Sequence, residues 1–338
     1  MTDKNYKLQL VVPHFNESQE LVIRFLDSIK MQQLVDFSEI GVILVNDGDN
    51  SLIDPIIFDK YPFKINYCLK DWSGPAATRQ YGLNKVTADY VMFCDCDDMF
   101  YRIDAIWEIF QVIKEEIPDV ITSQFMTCYT LKDSKVFSPI NKDDIWIHGK
   151  VWKVSYLKDN SIEWDSKLKV CEDAAFVRLG LNLTDKIINL PNTTYYWDQR
   201  KDSYSQSFNS KGLAAYLNRI ISCESLVSKL VSLEQKELAA KFTFLQIYEC
   251  YFELQRYEWN LPEFNEVRAT VEESISEFMR NYDYLINELD YRKVAALINT
   301  LRERYYLQTG RISLEEISFL EWKKHLIEVY IAPKEEIN

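Results

Sequence analysis

Up to about residue 205 the chain alternates short apolar runs with amphipathic stretches, and this alternation constrains the fold more than any other feature. Strand, helix and strand in that order imply a largely parallel sheet with helices on both faces. The predicted strands are residues 7–12, 40–45, 64–69 and 90–93, and the predicted helices are residues 21–33, 75–85 and 103–116.

After residue 205 the composition changes. Six of the eight glycines and seven of the nine prolines precede this point. Beyond it, apolar and aromatic residues recur at helical spacing. We therefore predict two domains, an α/β domain over residues 1–207 and an all-α domain over residues 208–338. The predicted helices of the second domain are residues 214–232, 235–259, 263–284 and 291–307.

Composition excludes several classes of protein. Hydrophobic content of 47% and aromatic content of 14% are ample for a packed core. A net charge of −13 argues against broad binding of nucleic acid. We expect no signal peptide and no membrane span, because no apolar run is long enough to cross a bilayer. Seven cysteines without a Cys-x-x-Cys pair predict reduced thiols in a cytoplasmic protein.

The tetrapeptide Asp95-Cys96-Asp97-Asp98 directly follows the predicted strand 90–93. Asp95 and Asp97 are two residues apart, so in strand geometry their carboxylates point to the same side. Two carboxylate ligands suit Mg²⁺ or Mn²⁺, which usually completes its shell with substrate phosphates. The alternative is an ordinary acidic turn.

Further polar segments lie at other strand ends. A carboxylate at Asp47 can accept hydrogen bonds from a ribose or base edge, and Arg79 could reach a diphosphate. Glu172 and Asp173 open a predicted helix, where capping is the alternative reading. The segments are Val-Pro-His-Phe-Asn-Glu (12–17), Val-Asn-Asp-Gly-Asp (45–49), Gly-Pro-Ala-Ala-Thr-Arg-Gln-Tyr-Gly-Leu (74–83) and Val-Cys-Glu-Asp-Ala-Ala-Phe (170–176).

These segments, in this order, resemble the family 2 inverting glycosyltransferases of the GT-A fold. The segment around Arg79 is similar to the family's Ala-Arg-Asn-x-Gly-Leu, although Thr78 and Gln80 replace Ala and Asn. Residues 148–152 resemble its Gly-Lys-Leu-Tyr segment, and residues 195–205 resemble its closing Tyr-x-Arg and Ser-x-Ser segment, with Asp202 where Gly often stands. The resemblance covers residues 6 to about 207 and implies a mostly parallel GT-A sheet flanked by helices.

The resemblance also implies roles for individual residues. Asp173 would be the general base, with Glu172 as its neighbour. The remaining roles are donor-nucleotide binding by Pro13, Phe15, Glu17, Asp47, Gly74, Arg79, Asp95 and Cys96, metal binding by Asp97 and Asp95 with His148 as a third ligand, and acceptor contacts by Lys150, Trp152, Trp197 and Arg200.

The expected activity is metal-dependent transfer of a sugar from a nucleotide sugar, a UDP-sugar, to an acceptor hydroxyl with inversion and with Mn²⁺ or Mg²⁺ as cofactor. Asp173 should be ionised at neutral pH, since a helix N-terminus lowers a carboxylate's pKa. The sequence leaves the acceptor open among a glycan, a lipid-linked sugar, a protein and a modified base. The alternatives are a nucleotidyltransferase and a non-catalytic nucleotide-sugar-binding scaffold.

The helical domain is expected to select the acceptor or to mediate homo-oligomerisation. Its aromatic residues are more numerous than one exposed helix would carry, so some are expected to face a partner surface. These residues include Tyr248, Tyr251, Phe252, Tyr257 and Trp259.

Overall fold

The computed structural model of the chain describes residues 6–48, 52–132, 134–200, 214–254, 262, 265–309 and 318–332. The chain divides into two compact units, Met1–Ser203 and Tyr204–Asn338. The predicted domain boundary, between residues 207 and 208, lies outside the described residues.

The described part of the first unit contains nine strands in one sheet and five α-helices. The strands are β1 (Leu8–His14), β2 (Ile40–Asp47), β3 (Lys64–Lys70), β4 (Tyr90–Phe93), β5 (Met99–Phe100), β6 (Val120–Leu131), β7 (Ser134–Ile140), β8 (Lys150–Lys153) and β9 (Ile187–Asp198), and the helices are α1 (Gln19–Lys30), α2 (Pro75–Leu83), α3 (Ala105–Glu116), α4 (Val154–Asp159) and α5 (Glu172–Asn182). The strand order is β3-β2-β1-β4-β8-β6-β9-β5, and β7 pairs with β6.

The half of the sheet built from β1 to β4 is parallel, as predicted. All eight residues of β2 are buried, which is typical of a parallel strand covered on both faces. Each predicted strand matches an observed strand to within two residues at either end. Because parallel strands end at one edge of the sheet, the motifs after β1, β2 and β4 lie together there.

The sequence analysis predicted no strand beyond residue 93, whereas β5 to β9 complete the sheet. Most of these pairings are antiparallel, and only β6 and β9 pair in parallel. Strand β6 pairs along one side first with β8 and then with β7. Its residues alternate between buried and partly exposed positions, so it has no continuous apolar run to identify it.

Helix α5 packs closely on β8, and this contact places the helix N-terminus in the site. A Cβ atom on Gly180 would lie 2.4 Å from the Trp152 ring. Trp152 is fully buried and meets Phe176 edge-on, with ring centroids 5.3 Å apart. The Tyr156 hydroxyl donates to the Gly180 carbonyl at 2.6 Å. Glycine at position 180 therefore sets how closely α5 approaches the sheet.

The described part of the second unit is helical, as predicted. Its helices are α6 (Ala214–Ser232), α7 (Lys236–Leu254), α8 (Asn265–Tyr282), α9 (Tyr291–Thr309) and α10 (Phe319–Leu326), with a 3₁₀ segment at Asp283–Glu288 and a π-helical turn at Ile327–Ile331. Helix α10 begins with a capping box between Ser318 and Glu321.

An aromatic cluster fills the interior of this unit. Tyr248 lies 4.5 Å from Phe319 between ring centroids, and Tyr251 lies 5.5 Å from Trp322. Tyr248, Tyr251 and Phe252 are at most 5% exposed. These three are therefore not among the aromatic residues that face a partner surface, because they pack on one another and because Tyr248 and Tyr251 also pack on α10. Tyr257 and Trp259 lie outside the described residues.

Two expectations concern the chain as a whole. Among the described residues, no helix has the length and apolar character needed to cross a membrane. All seven cysteines are free thiols, and Cys94 and Cys96 are buried on either side of Asp95.

Gly180→Ala should destabilise the first unit. The added methyl gains helix propensity but clashes with a buried indole that has no room to move, and overpacking of this kind costs about 1–3 kcal/mol. We expect a lower melting temperature in calorimetry. Combining Gly180→Ala with Trp152→Phe should cost less than the sum of the single changes, because the smaller ring relieves the clash. Strict additivity would contradict the proposed contact.

Candidate active site

Arg79 joins the two acidic motifs at the edge of the sheet. It lies on α2 with its side chain buried, and it donates to Asp95 Oδ1 from Nη2 at 2.9 Å and to Glu172 Oε1 from Nη1 at 2.7 Å. Nη1 also lies 3.3 Å from Asp173 Oδ1. The guanidinium sits over the ring of Trp164 at 5.0 Å. One cation therefore gathers carboxylates from the end of β4 and from the start of α5.

This arrangement changes the interpretation of Arg79 as a nucleotide ligand. Burial opposes its charge, but Asp173, Asp95 and Glu172 together raise the pKa of Arg79 above its already high value. The guanidinium is thus permanently charged and engaged by protein carboxylates. In this structure Arg79 contacts Asp95, Glu172 and Asp173, so it positions these carboxylates relative to one another.

Three acidic side chains of the Asp-Cys-Asp-Asp motif have different partners. Asp95 accepts from Arg79, which lowers the pKa of Asp95 against the effect of burial. Asp97 accepts from Arg200 Nε and Nη2, each at 2.9 Å. Burial and the nearby Asp95 raise the pKa of Asp97 to about 6, although Arg200 acts in the opposite direction. Asp98 is fully buried and accepts from the Tyr195 hydroxyl at 2.9 Å.

Asp95, Asp98 and His148 form a candidate metal site. One ligand atom from each lies within 4.8 Å of the others. Nδ1 of His148 is buried without a hydrogen-bond partner and lies 3.8 Å from Asp98 Oδ2. Burial lowers the pKa of His148 to about 4, so the imidazole is neutral and has a lone pair to offer. The two carboxylates suit Mn²⁺ or Mg²⁺, and the neutral imidazole can add a nitrogen ligand.

This cluster differs from the predicted set of ligands. His148 was predicted as a third ligand, whereas Asp98 was assigned no role. Asp97, predicted as a main ligand, is outside the cluster because its carboxylate is turned toward Arg200. Sequence spacing alone places Asp95 and Asp97 on one side, but the chain leaves strand geometry after Phe93.

The expected base, Asp173, lies in the first turn of α5. Its Oδ2 accepts from the Ile147 backbone N–H at 3.4 Å, and its Oδ1 has no hydrogen-bond partner. Burial, with a smaller effect of Glu172 and Asp95, raises the pKa of Asp173 to about 7 although Arg79 acts in the opposite direction. The expectation of a lowered pKa is therefore wrong, because burial and neighbouring carboxylates outweigh the helix dipole.

Asp47 accepts hydrogen bonds from the loop that precedes α2. Its Oδ1 accepts from the backbone N–H of Ser73 at 2.9 Å, and its Oδ2 accepts from that of Gly74 at 2.8 Å. Oδ1 also accepts from Lys70 Nζ. Asp47 was predicted to bind the nucleotide, but both of its oxygens already accept protein donors. Gly74, with φ of +90°, turns the chain into α2.

The segment after β1 is organised by its own residues. Glu17 accepts from the Phe15 backbone N–H at 2.6 Å, and buried His14 bridges the Glu17 carbonyl and the Asn46 side chain. Phe15 is 40% exposed and half-buried Pro13 ends the core part of the strand, so both are open to a ligand. Cys96, in contrast, is 1% exposed and its thiol lies in the core, which leaves only its backbone for a nucleotide.

Two of the four predicted acceptor residues are in the interior. Lys150 Nζ donates to Asp143 Oδ2 at 2.9 Å and to the Trp146 carbonyl at 2.6 Å, and Trp152 packs under α5. Burial therefore removes both from direct acceptor contact. Trp197 is half-buried against Trp146 and His148, each with centroids 4.9 Å away. Arg200 is paired with Asp97.

Arg79→Ala should destabilise the first unit by up to about 3–5 kcal/mol, because it leaves partly buried carboxylates without a counter-charge. Without Arg79, the folded-state pKa of Asp95 rises above its unfolded value, and that of Asp173, which is already raised, rises further. Such groups contribute stability at low pH and lose it as pH rises through the folded-state pKa. The free energy of unfolding that Arg79→Ala loses relative to wild type should therefore be smaller at about pH 5 than at about pH 8.

Urea unfolding at the two pH values measures this difference. Arg102→Ala is the matched control, because Arg102 forms a partly exposed pair with Asp104 at 2.7 Å, and exposed pairs contribute about 0–1 kcal/mol. Equal losses for the two variants would contradict the role assigned to Arg79.

Comparison with known proteins identifies the family that the sequence matches. The sequence profile described as Glycosyl transferase family 2 matches residues 9–173. The chain is 23% identical over 257 residues to poly(ribitol-phosphate) beta-N-acetylglucosaminyltransferase TarS of Staphylococcus aureus, covering 70% of this chain and 43% of that protein. It is 25% identical over 250 residues to minor teichoic acid biosynthesis protein GgaB of Bacillus subtilis, covering 69% of this chain and 27% of that protein. The chain thus spans less than half the length of these relatives.

Solved structures support the fold. S. aureus TarS residues 1–349 in complex with UDP-GlcNAc superposes with a TM-score of 0.59 at 16% identity, over 92% of this chain and 97% of that chain. The complex of the same fragment with UDP gives a TM-score of 0.56 over the same shares. The predicted fold class, a GT-A sheet followed by a helical region, is confirmed. Residues 9–173 of the chain thus match a family 2 glycosyltransferase domain, and they lie in a sheet of the GT-A fold.

Proposed function

We propose that this chain transfers a sugar from a UDP-sugar, with UDP-GlcNAc as the first candidate, to a hydroxyl of a polyol-phosphate chain. The donor is suggested by the complex of TarS with UDP-GlcNAc, and the class of acceptor by the name of TarS as a poly(ribitol-phosphate) beta-N-acetylglucosaminyltransferase. One observation carries the chemistry: Oδ1 of Asp173 accepts no hydrogen bond but lies 3.3 Å from Nη1 of Arg79, and Arg79 also pairs with Asp95 of the candidate metal site. A base and a donor-binding motif are thereby held in one cluster.

The reaction is a single displacement. The acceptor oxygen attacks the anomeric carbon of the sugar and forms the new C–O bond. The bond from that carbon to the β-phosphate oxygen breaks, and its electron pair leaves with UDP. Asp173 Oδ1 accepts the proton of the acceptor hydroxyl, which needs a base within hydrogen-bond reach. Because attack and departure occur on opposite faces, the anomeric configuration inverts.

Asp95, Asp98 and His148 would hold a divalent cation, Mn²⁺ or Mg²⁺. When bound, the cation neutralises the charge that develops on the leaving diphosphate. Neighbouring contacts set the charge and the orientation of these three ligands. Burial keeps His148 neutral, while Tyr195 orients the Asp98 carboxylate by a hydrogen bond of 2.9 Å. Arg79 holds Asp95 ionised.

The family assignment gives no support to the nucleotidyltransferase and scaffold alternatives, and no contact in the described residues favours either. Selection of the acceptor by the helical unit, formation of a homo-oligomer and cytoplasmic location stay predictions.

The first prediction of this proposal concerns Asp173. Transfer from UDP-GlcNAc with Mn²⁺ to a ribitol-phosphate oligomer should rise with pH through a midpoint near 7, because Asp173 must lose its proton to act as a base. Asp173→Asn should lower kcat roughly 10²- to 10⁴-fold with UDP affinity nearly unchanged. Rates of UDP release and NMR of the anomeric proton measure both the base and the inversion.

Three results would overturn parts of this scheme. Release of pyrophosphate in place of UDP would indicate nucleotidyl transfer. Retention of the anomeric configuration would exclude a single displacement. Normal transfer by Asp173→Asn would move the base elsewhere, and Glu172, bound to Arg79 at 2.7 Å, would be tested next.

The second prediction concerns the metal site. His148→Ala should weaken UDP binding in the presence of Mn²⁺ roughly 10- to 100-fold and should leave binding in EDTA unchanged, since only the metal-mediated part is lost. Isothermal titration calorimetry under both conditions measures the difference. His325→Ala, on α10, is the control. Equal UDP affinity of wild type with and without metal would exclude a metal bridge at this cluster.

A further inference from the structure

Trp72 and Lys169 form an exposed aromatic and cationic pair beside the site. The Trp72 side chain is 57% exposed, and Lys169 is also exposed, with its Nζ 5.5 Å from the centre of the indole ring. Lys169 Nζ donates to the Ser73 carbonyl. The pair therefore spans two loops, one before α2 and one before α5.

The backbone under Trp72 is firmly held although its ring is open to solvent. Asp47 accepts from the backbone N–H groups of Ser73 and Gly74, the two residues that follow Trp72. Gly48 has φ of +78°, and a Cβ atom there would lie 2.3 Å from the Trp72 nitrogen. A Cβ atom on Gly74 would lie 3.2 Å from Lys169 Cδ, so the two loops are in close contact. A rigid backbone that presents an exposed indole loses little entropy when the ring binds a ligand.

Both loops lead directly into the cluster around Arg79. The loop of Trp72 ends at Gly74, where α2 begins and carries Arg79. Lys169 precedes Asp173 by four residues in the segment that enters α5. Arg79 and Asp173, whose atoms Nη1 and Oδ1 lie 3.3 Å apart, are thus carried by the two helices into which the loops of Trp72 and Lys169 lead.

The positive charge of Lys169 matters because its surroundings are negatively charged. The chain has a net charge of −13, and the site is rich in carboxylates. A phosphate-bearing acceptor is repelled by such a site unless local cations compensate. The other cations around the site, Arg79, Arg200 and Lys150, are engaged by Asp and Glu side chains. Among the described residues, Lys169 forms no ion pair and remains available to a phosphate.

We propose that Trp72 and Lys169 form an acceptor subsite that binds one repeat of a polyol-phosphate chain. The indole face covers the C–H surface of the polyol, and the ammonium pairs with the adjoining phosphate. The subsite holds the chain while a hydroxyl of a neighbouring repeat reaches Asp173. This assignment rests on the proposed function in taking a polyol phosphate as the acceptor.

The test is direct binding of a synthetic oligomer of ribitol joined by phosphodiesters, which needs no turnover. Isothermal titration of the full chain should show binding that weakens with added salt, and free ribitol should bind far more weakly. Lys169→Glu should raise the dissociation constant roughly three- to tenfold at low salt. Trp72→Ala should raise it roughly two- to tenfold. The acceptor KM in the transfer assay should rise in the same order.

Lys85→Glu is the matched control, because Lys85 Nζ lies 4.6 Å from the Tyr81 ring centre at the opposite end of α2. Its oligomer affinity should equal that of wild type. The proposal is overturned if wild type does not bind the oligomer, if Lys169→Glu binds it equally well, or if the two variants weaken UDP binding instead, which would assign the pair to the donor. Failure of UDP-GlcNAc transfer with intact oligomer binding would count against the proposed function and not against this subsite.

Discussion

The ion-pair network of Arg79 is the constraint on which the rest of the site depends. It connects the end of β4 to the start of α5, two elements that are almost eighty residues apart in sequence. Three partly buried carboxylates repel one another, and a single guanidinium with several donors in a fixed plane pairs with all three. A lysine would supply the charge without the geometry. The position of α5, set from below by Gly180 against Trp152, brings the carboxylates within reach of that plane.

The network contains three carboxylates and one guanidinium, so negative charge is in excess, and the carboxylates differ in pKa. Arg79 lowers the pKa of Asp95 against the effect of burial, whereas burial and its acidic neighbours raise the pKa of Asp173 to about 7. In the proposed mechanism these neighbouring carboxylates, which titrate far apart, divide the work, with Asp95 as a permanent anion and Asp173 as the proton acceptor. The same excess of negative charge, with neutral His148 beside it, favours a divalent cation.

The sequence predicted the parallel half of the sheet because β1, β2 and β4 are nearly continuous buried runs, which local composition alone identifies. The motifs that follow these strands were predicted for the same reason. The partners of each side chain were not predictable, since they depend on residues distant in sequence. Asp97 forms an ion pair with Arg200, and buried Lys150 forms one with Asp143. Asp98 accepts a hydrogen bond from Tyr195. The pKa of Asp173 likewise depends on burial, which a helix N-terminus does not reveal.

The covering of Asp98 by β9 has a consequence for the growing chain. Its carboxylate accepts from Tyr195 and from the backbone of Asp198, residues 97 and 100 positions later. At ordinary rates of synthesis the ribosome needs roughly 5–20 s to add such a segment. During that interval the acidic motif has emerged without the donors that will enclose it. Strand β9 is thus both the last described part of the sheet to be made and the element that supplies the donors to Asp98. A nascent chain can therefore complete the candidate metal site only after β9 has been added.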